Sequence, residues 1–143
     1  MAGSIQTTFD ALKSKIKAKA EDGVEERLED IAAYAVYVAT PDHSIDTGAY
    51  VTSFSIGTAG FGGGRSRSSK NKPKGQNPQA KKDESFSQLM YDIQRIDFEA
   101  VLESSNTRFT LRNRAPHARD VEDGANWERS GYDVFARIRD QFG

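Results

Sequence analysis

The sequence predicts an α+β fold in which a long N-terminal helix and a second helix pack on one face of a small, mainly antiparallel sheet. Apolar residues recur at helical spacing in two separated stretches, strand-forming residues fill two shorter stretches, and a Gly- and Lys-rich loop interrupts them. With 143 residues, of which 36% are hydrophobic, the chain fits one domain with a single core. We therefore expect one domain over residues 1–143, with a flexible basic arm at about residues 59–83.

The composition excludes several classes of protein. The chain has no cysteine, which excludes a disulfide framework and thiolate metal sites. No apolar run approaches the roughly 20 residues that a bilayer crossing needs. The first ten residues also lack the basic and apolar blocks of a signal peptide. We expect a soluble protein, made in the cytoplasm, with no membrane partner.

Apolar side chains step by three or four residues from Phe9 to Val38, which predicts a long amphipathic first helix. Thr7 followed by Asp10 resembles a capping box at its start, and Pro41 lies just past its end. An unbroken helix over this range would be roughly 45 Å long at about 1.5 Å per residue. We therefore expect either a bend near Gly23 or a partner that covers the helix.

Charge is segregated along this predicted helix. Its first half is basic and its second half is acidic, an order that opposes the helix dipole. A complementary neighbour would account for the arrangement, which suggests self-association, although ordinary variation of surface charge would give the same order. The basic residues are Lys13, Lys15, Lys17 and Lys19, and the acidic ones are Glu21, Asp22, Glu25, Glu26, Glu29 and Asp30.

The remaining elements are predicted from the spacing of apolar residues and from the capping residues. Residues 50–56 alternate large and small side chains and predict a strand. Apolar residues at helical spacing from Phe86 to Leu102 predict the second helix, capped by Asp83 or Ser85. Residues 107–111 predict another strand, followed by a turn region over residues 113–124. Residues 134–142 fit a strand or a helix equally well.

The interrupting segment is rich in glycine and then basic. Five glycines fall in residues 57–64, which lack the Lys-Ser or Lys-Thr ending of a phosphate loop and therefore predict a hinge. Removing the seven basic residues that follow from the total of 20 leaves 13 against 21 acidic residues, a net charge of −8. A positive segment on an acidic body suggests a contact arm for a neighbouring copy or for DNA, although a solvated loop would show the same composition. The arm residues are Arg65, Arg67, Lys70, Lys72, Lys74, Lys81 and Lys82.

The string Asp46-Thr47-Gly48 is shared by two unrelated families. In homodimeric aspartic proteases, two such aspartates share a proton and activate water. Those proteases consist almost entirely of strands, so the two predicted helices argue against them. In that alternative Asp46 would be catalytic.

The second family is that of the tailed-phage neck or tail-completion proteins. There a long helix ends at a Pro, followed by Asp-Thr-Gly, an apolar residue and a Ser. Pro41, residues 46–48, Tyr50 and Ser53 resemble that order, with a longer gap after the Pro and Tyr50 in place of the common Leu. The residues themselves favour a structural corner. An Asx turn at Asp46, a positive φ at Gly48 and a bridge through Thr47 into the strand would suffice.

A second stretch is similar to the same family. It comprises Asn113, Ala115, His117, Ala118, Val121, Glu122 and Gly124, with His117 where Tyr is usual. In the family pattern the Glu and Gly close a turn that faces neighbouring subunits. The resemblance therefore suggests Glu122, Gly124 and the adjacent Arg119 as interface residues. Trp127, in a predicted loop, is either an interface anchor or a partly buried structural residue.

The sequence gives little sign of a metal or cofactor site. His43 and His117 are the two histidines, and they would have to converge with Asp42, Asp46 or Asp120 to bind a metal. No His-x-x-x-His pair or cysteine anchors such a site. We expect no catalytic residue, no metal and no cofactor.

The resemblance implies a structural virion protein rather than an enzyme. Six or twelve copies would form a ring at the head–tail junction of a bacteriophage, joining the portal and its adaptor to the tail around the DNA path. The partners would be other copies, the portal, adaptor and tail proteins, and DNA in the channel. A nucleic-acid-binding protein that uses the basic arm as its principal site is the main alternative.

Overall fold

The computed structural model describes residues 4–10, 20–58, 61–102, 108–124 and 131–143. Three strands and five α-helices lie within these ranges, and the fold class is α+β, as predicted. The elements are β1 (Ile5–Asp10), α1 (Ala20–Ala33), β2 (Phe54–Thr58), α2 (Pro78–Gln94), α3 (Phe98–Leu102), β3 (Arg108–Asn113), α4 (Ala118–Asp123) and α5 (Val134–Phe142). Among the helices described, none is both long and apolar enough to cross a membrane.

The sheet has the order β1-β3-β2, and both pairs are antiparallel, in agreement with the prediction. Phe109, Thr110, Leu111 and Asn113 of the central strand β3 are buried, whereas Arg108 is exposed and Arg112 is half-buried. α2 packs against β2 and α1, so the two main helices and the sheet enclose one core.

The N-terminal residues form a strand, and the prediction that the first helix begins at Phe9 with a cap at Thr7 is wrong. Ile5 and Thr7 are buried whereas Gln6 is exposed, which is the two-residue period of a strand. Phe9 pairs with Phe109 of β3. The spacing misled because Phe9 fits both this strand and the helical series that continues beyond it. Residues 11–19, with the four predicted helix lysines, lie outside the described residues.

The second half of the predicted first helix is helical. In α1, Val24, Leu28 and Ile31 are buried. The chain continues without a break into a π-helix over Tyr34–Ala39. The π-helix ends where Thr40 becomes extended, and the Thr40 hydroxyl donates a hydrogen bond to the Ala35 carbonyl at 2.8 Å. Pro41 therefore follows the end of the helix as predicted.

The second helix starts earlier and ends earlier than predicted. Its cap is Asn77, whose side chain accepts a hydrogen bond from the Ala80 amide at 3.0 Å, so the predicted caps Asp83 and Ser85 are wrong. Pro78 occupies the first helical turn, where its missing N–H costs nothing. This polar cap lies nine residues before Phe86, the first apolar residue of the series, which is why periodicity alone missed it. The series also spans a break, because α2 ends at Gln94 and α3 is separate.

The C-terminal segment, for which two conformations were open, is the helix α5. Val134, Phe135 and Ile138 are fully buried, whereas Arg137 and Arg139 are exposed. Residues 113–124, predicted as a turn region, contain the short helix α4.

Candidate functional site

The Asp46–Gly48 corner is a tight turn that only glycine can complete. Gly48 has a φ of +83°, and a Cβ atom there would lie 2.6 Å from the Cδ atom of Lys81. The Thr47 hydroxyl accepts a hydrogen bond from the Ala49 amide at 3.2 Å. The local side chain that supports the turn is therefore Thr47.

Asp46 stabilises a different part of the chain from the one expected. Its carboxylate accepts a hydrogen bond from the Gly75 amide, and its carbonyl accepts one from the Gln76 amide, both at 2.8 Å. The expected Asx turn onto the following backbone is replaced by this long-range contact. Asp46 thus attaches Gly75 and Gln76, in the middle of the basic segment, to the corner.

The predicted strand after the corner begins four residues late. The hydroxyls of Thr52 and Ser53 donate hydrogen bonds to the carbonyls of Gly48 and Ala49 at 2.6 and 2.7 Å. These bonds stabilise a 3₁₀ turn over Val51–Ser53, and β2 starts at Phe54.

Asn113 joins the two stretches that carry the phage-protein resemblance. It is completely buried at the end of β3. Its side-chain amide donates a hydrogen bond to the Tyr50 carbonyl at 2.8 Å, and its side-chain oxygen accepts one from the Ala115 amide at 3.0 Å. Since both halves of this amide have partners, Asn113 fixes the second stretch against the first.

Glu122 caps a helix from a distance. Its side chain is buried, with 4% of the residue exposed. The two carboxylate oxygens accept hydrogen bonds from the amides of Phe135 and Ala136 at 2.7 and 3.0 Å, in the first turn of α5. Asp133, directly before α5, makes no capping bond and has a positive φ of 53°. The buried Glu122 carboxylate therefore bonds to backbone amides of its own chain. This corrects the expectation that Glu122 faces a neighbouring subunit.

The other residues proposed for a subunit interface differ in position. Gly124 ends α4 with a φ of +99° and an amide that donates to the Asp120 carbonyl. Arg119 is exposed on α4. Trp127 lies outside the described residues. Of the set, Arg119 alone is a described side chain that could reach a partner.

Tyr50 lies between the corner and α4. Its ring packs edge-on against Phe54 at 5.4 Å and lies 6.3 Å from the His117 ring. Its hydroxyl is buried and has no hydrogen-bond partner in the described part of the chain. Burial, and to a lesser degree the charge of Glu122, raise the pKa of Tyr50 well above its usual value.

A cleft of about 420 Å³ opens beside Tyr50, between the corner and α4. Both histidines line it, together with Asp46 and Lys74. His43 packs edge-on against Tyr132 with ring centroids 5.4 Å apart. In the described ranges no three His, Cys, Asp or Glu side chains are grouped closely enough to bind a metal. The cleft therefore combines an ammonium group, a carboxylate, hydroxyls, imidazoles and apolar groups on a concave surface.

The start of the basic segment is attached to the sheet edge. Arg65 forms an ion pair with Asp92 of α2 at 2.7 Å, and its guanidinium donates to the Phe54 carbonyl at 2.9 Å. The Asp92 carboxylate also accepts a hydrogen bond from the Ile56 amide. Arg65 and Asp92 thus satisfy outward-facing backbone groups of β2, which would otherwise present an open edge for strand pairing.

The glycine-rich residues before Arg65 also make contacts. The Phe61 ring packs against Gly57, where a Cβ atom would lie 2.8 Å from the ring. The Phe61 ring also contacts Arg112, whose guanidinium lies 4.6 Å from the centre of the ring. Residues 61–65 thus cover part of the sheet.

The end of the basic segment belongs to α2. Lys82 is 4% exposed, and its ammonium lies 2.5 Å from the Asp42 carboxylate. Lys81 and Arg67 lie 3.4 and 3.8 Å from the carboxylate of Glu84. The prediction of a flexible basic arm over about residues 59–83 is therefore wrong at both ends, because carboxylates of the same chain form ion pairs with these basic groups.

The middle of the segment has a different environment. Lys70, Lys72 and Lys74 are exposed, and no ion pair within the described residues involves them. The Lys72 amide donates to the Ser69 carbonyl and closes a turn, and Asp46 holds the far end at Gly75. We call residues 69–75 the lysine loop; Ser69 and Lys74 of this loop line the cleft.

Sequence reasoning missed Asp92 and the capping role of Glu122. The sequence around a carboxylate does not indicate that its side chain will bond to a strand edge or to the start of another helix. Asn113 had a usable signal, since a polar residue that ends a buried strand needs partners for its amide group.

Comparison of this chain with protein-family models, with curated proteins and with solved structures gave no match. The function is therefore inferred from the residues and geometry of the chain itself.

Proposed function

We propose that this chain is a structural virion protein of a tailed bacteriophage, which forms an oligomeric ring at the head–tail junction and joins the portal–adaptor complex to the tail. The proposal applies to a neck or tail-completion subunit whose function is geometric. Its partners would be further copies of the chain and the adjacent portal, adaptor and tail proteins.

One observation carries the proposal. The two stretches that resemble neck and tail-completion proteins are separated by about 60 residues of sequence, yet the Asn113 side chain bonds directly to the Tyr50 carbonyl at 2.8 Å. Residues 43–51 of the first stretch and His117 and Val121 of the second also line the same cleft.

The aspartic protease alternative has weak support from the geometry. A protease aspartate must face its twin across a dimer and share a proton with it. The Asp46 carboxylate instead accepts a hydrogen bond from the Gly75 amide, beside a long helical segment. Asp46→Asn keeps an acceptor oxygen for this bond, so the protease alternative predicts a folded variant without cleavage activity.

The nucleic-acid-binding alternative loses part of its basis. Four of the seven basic residues in the segment have carboxylate partners within the chain, namely Arg65, Arg67, Lys81 and Lys82. Three lysines remain for a phosphate backbone, and the rest of the chain is acidic.

Electron microscopy of the purified full chain, alone and after mixing with phage heads, tests the proposal. We expect ring-shaped particles, or additional density at the portal vertex of the heads. A protein that forms no ring and adds no density to heads or tails would contradict the proposal.

A further inference from the structure

The lysine loop presents positive charge that forms no ion pair with any described residue of its own chain. Lys70, Lys72 and Lys74 are exposed on five consecutive residues, while the neighbouring basic residues on either side are paired with carboxylates. The loop is held in place, because Asp46 accepts hydrogen bonds from the amides of Gly75 and Gln76. An anchored loop loses less conformational entropy on binding than a free arm would.

The cleft beside the loop suits an acidic side chain on a protruding element. Lys74 and the two histidines supply cationic or hydrogen-bonding groups, and Ile45 and Val51 supply apolar lining. The Asp46 carboxylate also lines the cleft, and it accepts a hydrogen bond from the Gly75 amide. A cavity of about 420 Å³ accommodates a few side chains of a protein element. The broad, convex surface of a DNA duplex could touch the lysines at the rim without entering the cleft.

α1 carries the matching charge. Glu26 and Asp30 are exposed, and Glu25 and Glu29 are partly exposed, over less than two helical turns. No ion pair joins these four acids to any described basic side chain. Burial, and then repulsion from the other three carboxylates, raise the pKa of Glu29. This repulsion would be relieved by a cationic partner from outside the chain.

We propose that the lysine loop and the adjacent cleft of one subunit bind the acidic face of α1 on a second copy of this chain. This pairing rests on the proposed ring function and specifies its contact. Because the two surfaces are different parts of the same chain, the contact is heterologous, and its repetition closes into a ring when the rotation between copies permits. Charge complementarity would also fix which face of each subunit meets the next.

The test is a charge-swap experiment on the full chain. One variant reverses the loop (Lys70→Glu, Lys72→Glu, Lys74→Glu), and the other reverses the helix (Glu25→Lys, Glu26→Lys, Asp30→Lys). A control with the same change of net charge as the loop variant reverses exposed arginines elsewhere (Arg114→Glu, Arg137→Glu, Arg139→Glu). Sedimentation velocity at low salt measures self-association, and circular dichroism verifies that each variant is folded.

We expect each reversed variant to self-associate at least tenfold more weakly than the original chain, and the control to associate normally. An equimolar mixture of the two reversed variants should recover association, since opposite charges then face each other again. Rescue by the mixture is a result that a merely misfolded variant would not give. Raising the salt concentration should weaken the original association, because exposed ion pairs are screened.

Several results would overturn this inference. They are an original chain that stays monomeric, a loop variant that associates normally, or a mixture without rescue. Loss of binding to a fluorescent DNA duplex by the loop variant, with normal self-association, would assign the lysines to nucleic acid instead. The proposed function fails separately: charge-dependent association without rings or neck density would leave the pairing intact and contradict the phage role.

Discussion

The buried residues Asn113 and Glu122 and the exposed lysine loop are all polar, but their polar groups have opposite environments. The side chains of Asn113 and Glu122 are buried, and each bonds to backbone groups of its own chain. In the loop, Lys70, Lys72 and Lys74 are exposed without an ion pair among the described residues. Most buried polar groups have an internal partner, whereas an exposed one can serve an external partner.

The largest expected effect comes from removing the Glu122 carboxylate that caps α5. Glu122→Ala leaves the Phe135 and Ala136 amides without acceptors, and we expect a loss of about 3 kcal/mol in the free energy of unfolding. Urea denaturation measures this change. Glu122→Gln retains one acceptor oxygen and should lose less. Equal losses for the two variants, or a loss below about 0.5 kcal/mol for Glu122→Ala, would contradict the capping role.

A smaller effect is expected where the basic segment is attached to the sheet edge. The Arg65 and Asp92 side chains are 19% and 13% exposed, so water screens their ion pair only in part. Arg65→Ala should lower the free energy of unfolding by about 2 kcal/mol, since it also leaves the Phe54 carbonyl and the Asp92 carboxylate with fewer donors.

Arg65→Lys is the matched control for that change. It keeps the charge but cannot form the two parallel hydrogen bonds of a guanidinium, so its stability should fall between the original and the alanine variant. If Arg65→Ala unfolds at the same urea concentration as the original chain, the attachment of this segment contributes nothing to the fold.

The smallest expected effect is a pH dependence at Tyr37. Burial, followed by the hydrogen bond from its hydroxyl to Asp83 at 2.6 Å, raises the pKa of Tyr37 to about 12. The unfolded chain releases this proton near pH 10. Between pH 10 and about 12 the folded state therefore binds more protons than the unfolded state, and stability falls as the pH rises.

Urea midpoints at pH 9, 10 and 11 measure this dependence. Tyr37→Phe should flatten part of the decline, and the remainder belongs to groups such as the buried Tyr50. Tyr91→Phe, at a side chain that is 56% exposed, is the control. An identical decline in the original chain and in Tyr37→Phe would contradict the raised pKa.

Much of the fold could be predicted because it follows from local pattern. The periodic apolar residues of α1 and α2, the strand-forming residues of β2 and β3, and the helix end before Pro41 all reflect burial on one face. The predicted start of the first helix was wrong because Phe9 fits both a strand period and a helix period. The predicted start of the second helix was wrong because its cap, Asn77, lies well before the periodic apolar residues. The candidate site was less accessible, since its residues are joined by contacts that span many residues of sequence.

The sequence by itself determined the fold class, the two main helices, the need for glycine at position 48 and the uneven distribution of charge. These depend on residue type, spacing and local backbone conformation. The tertiary structure alone decided that Glu122 caps α5, that Arg65 pairs with Asp92, that Lys82 is buried against Asp42, and that three lysines remain exposed. The reason is that ion pairs and caps between distant residues depend on packing, which brings together groups that no local spacing relates.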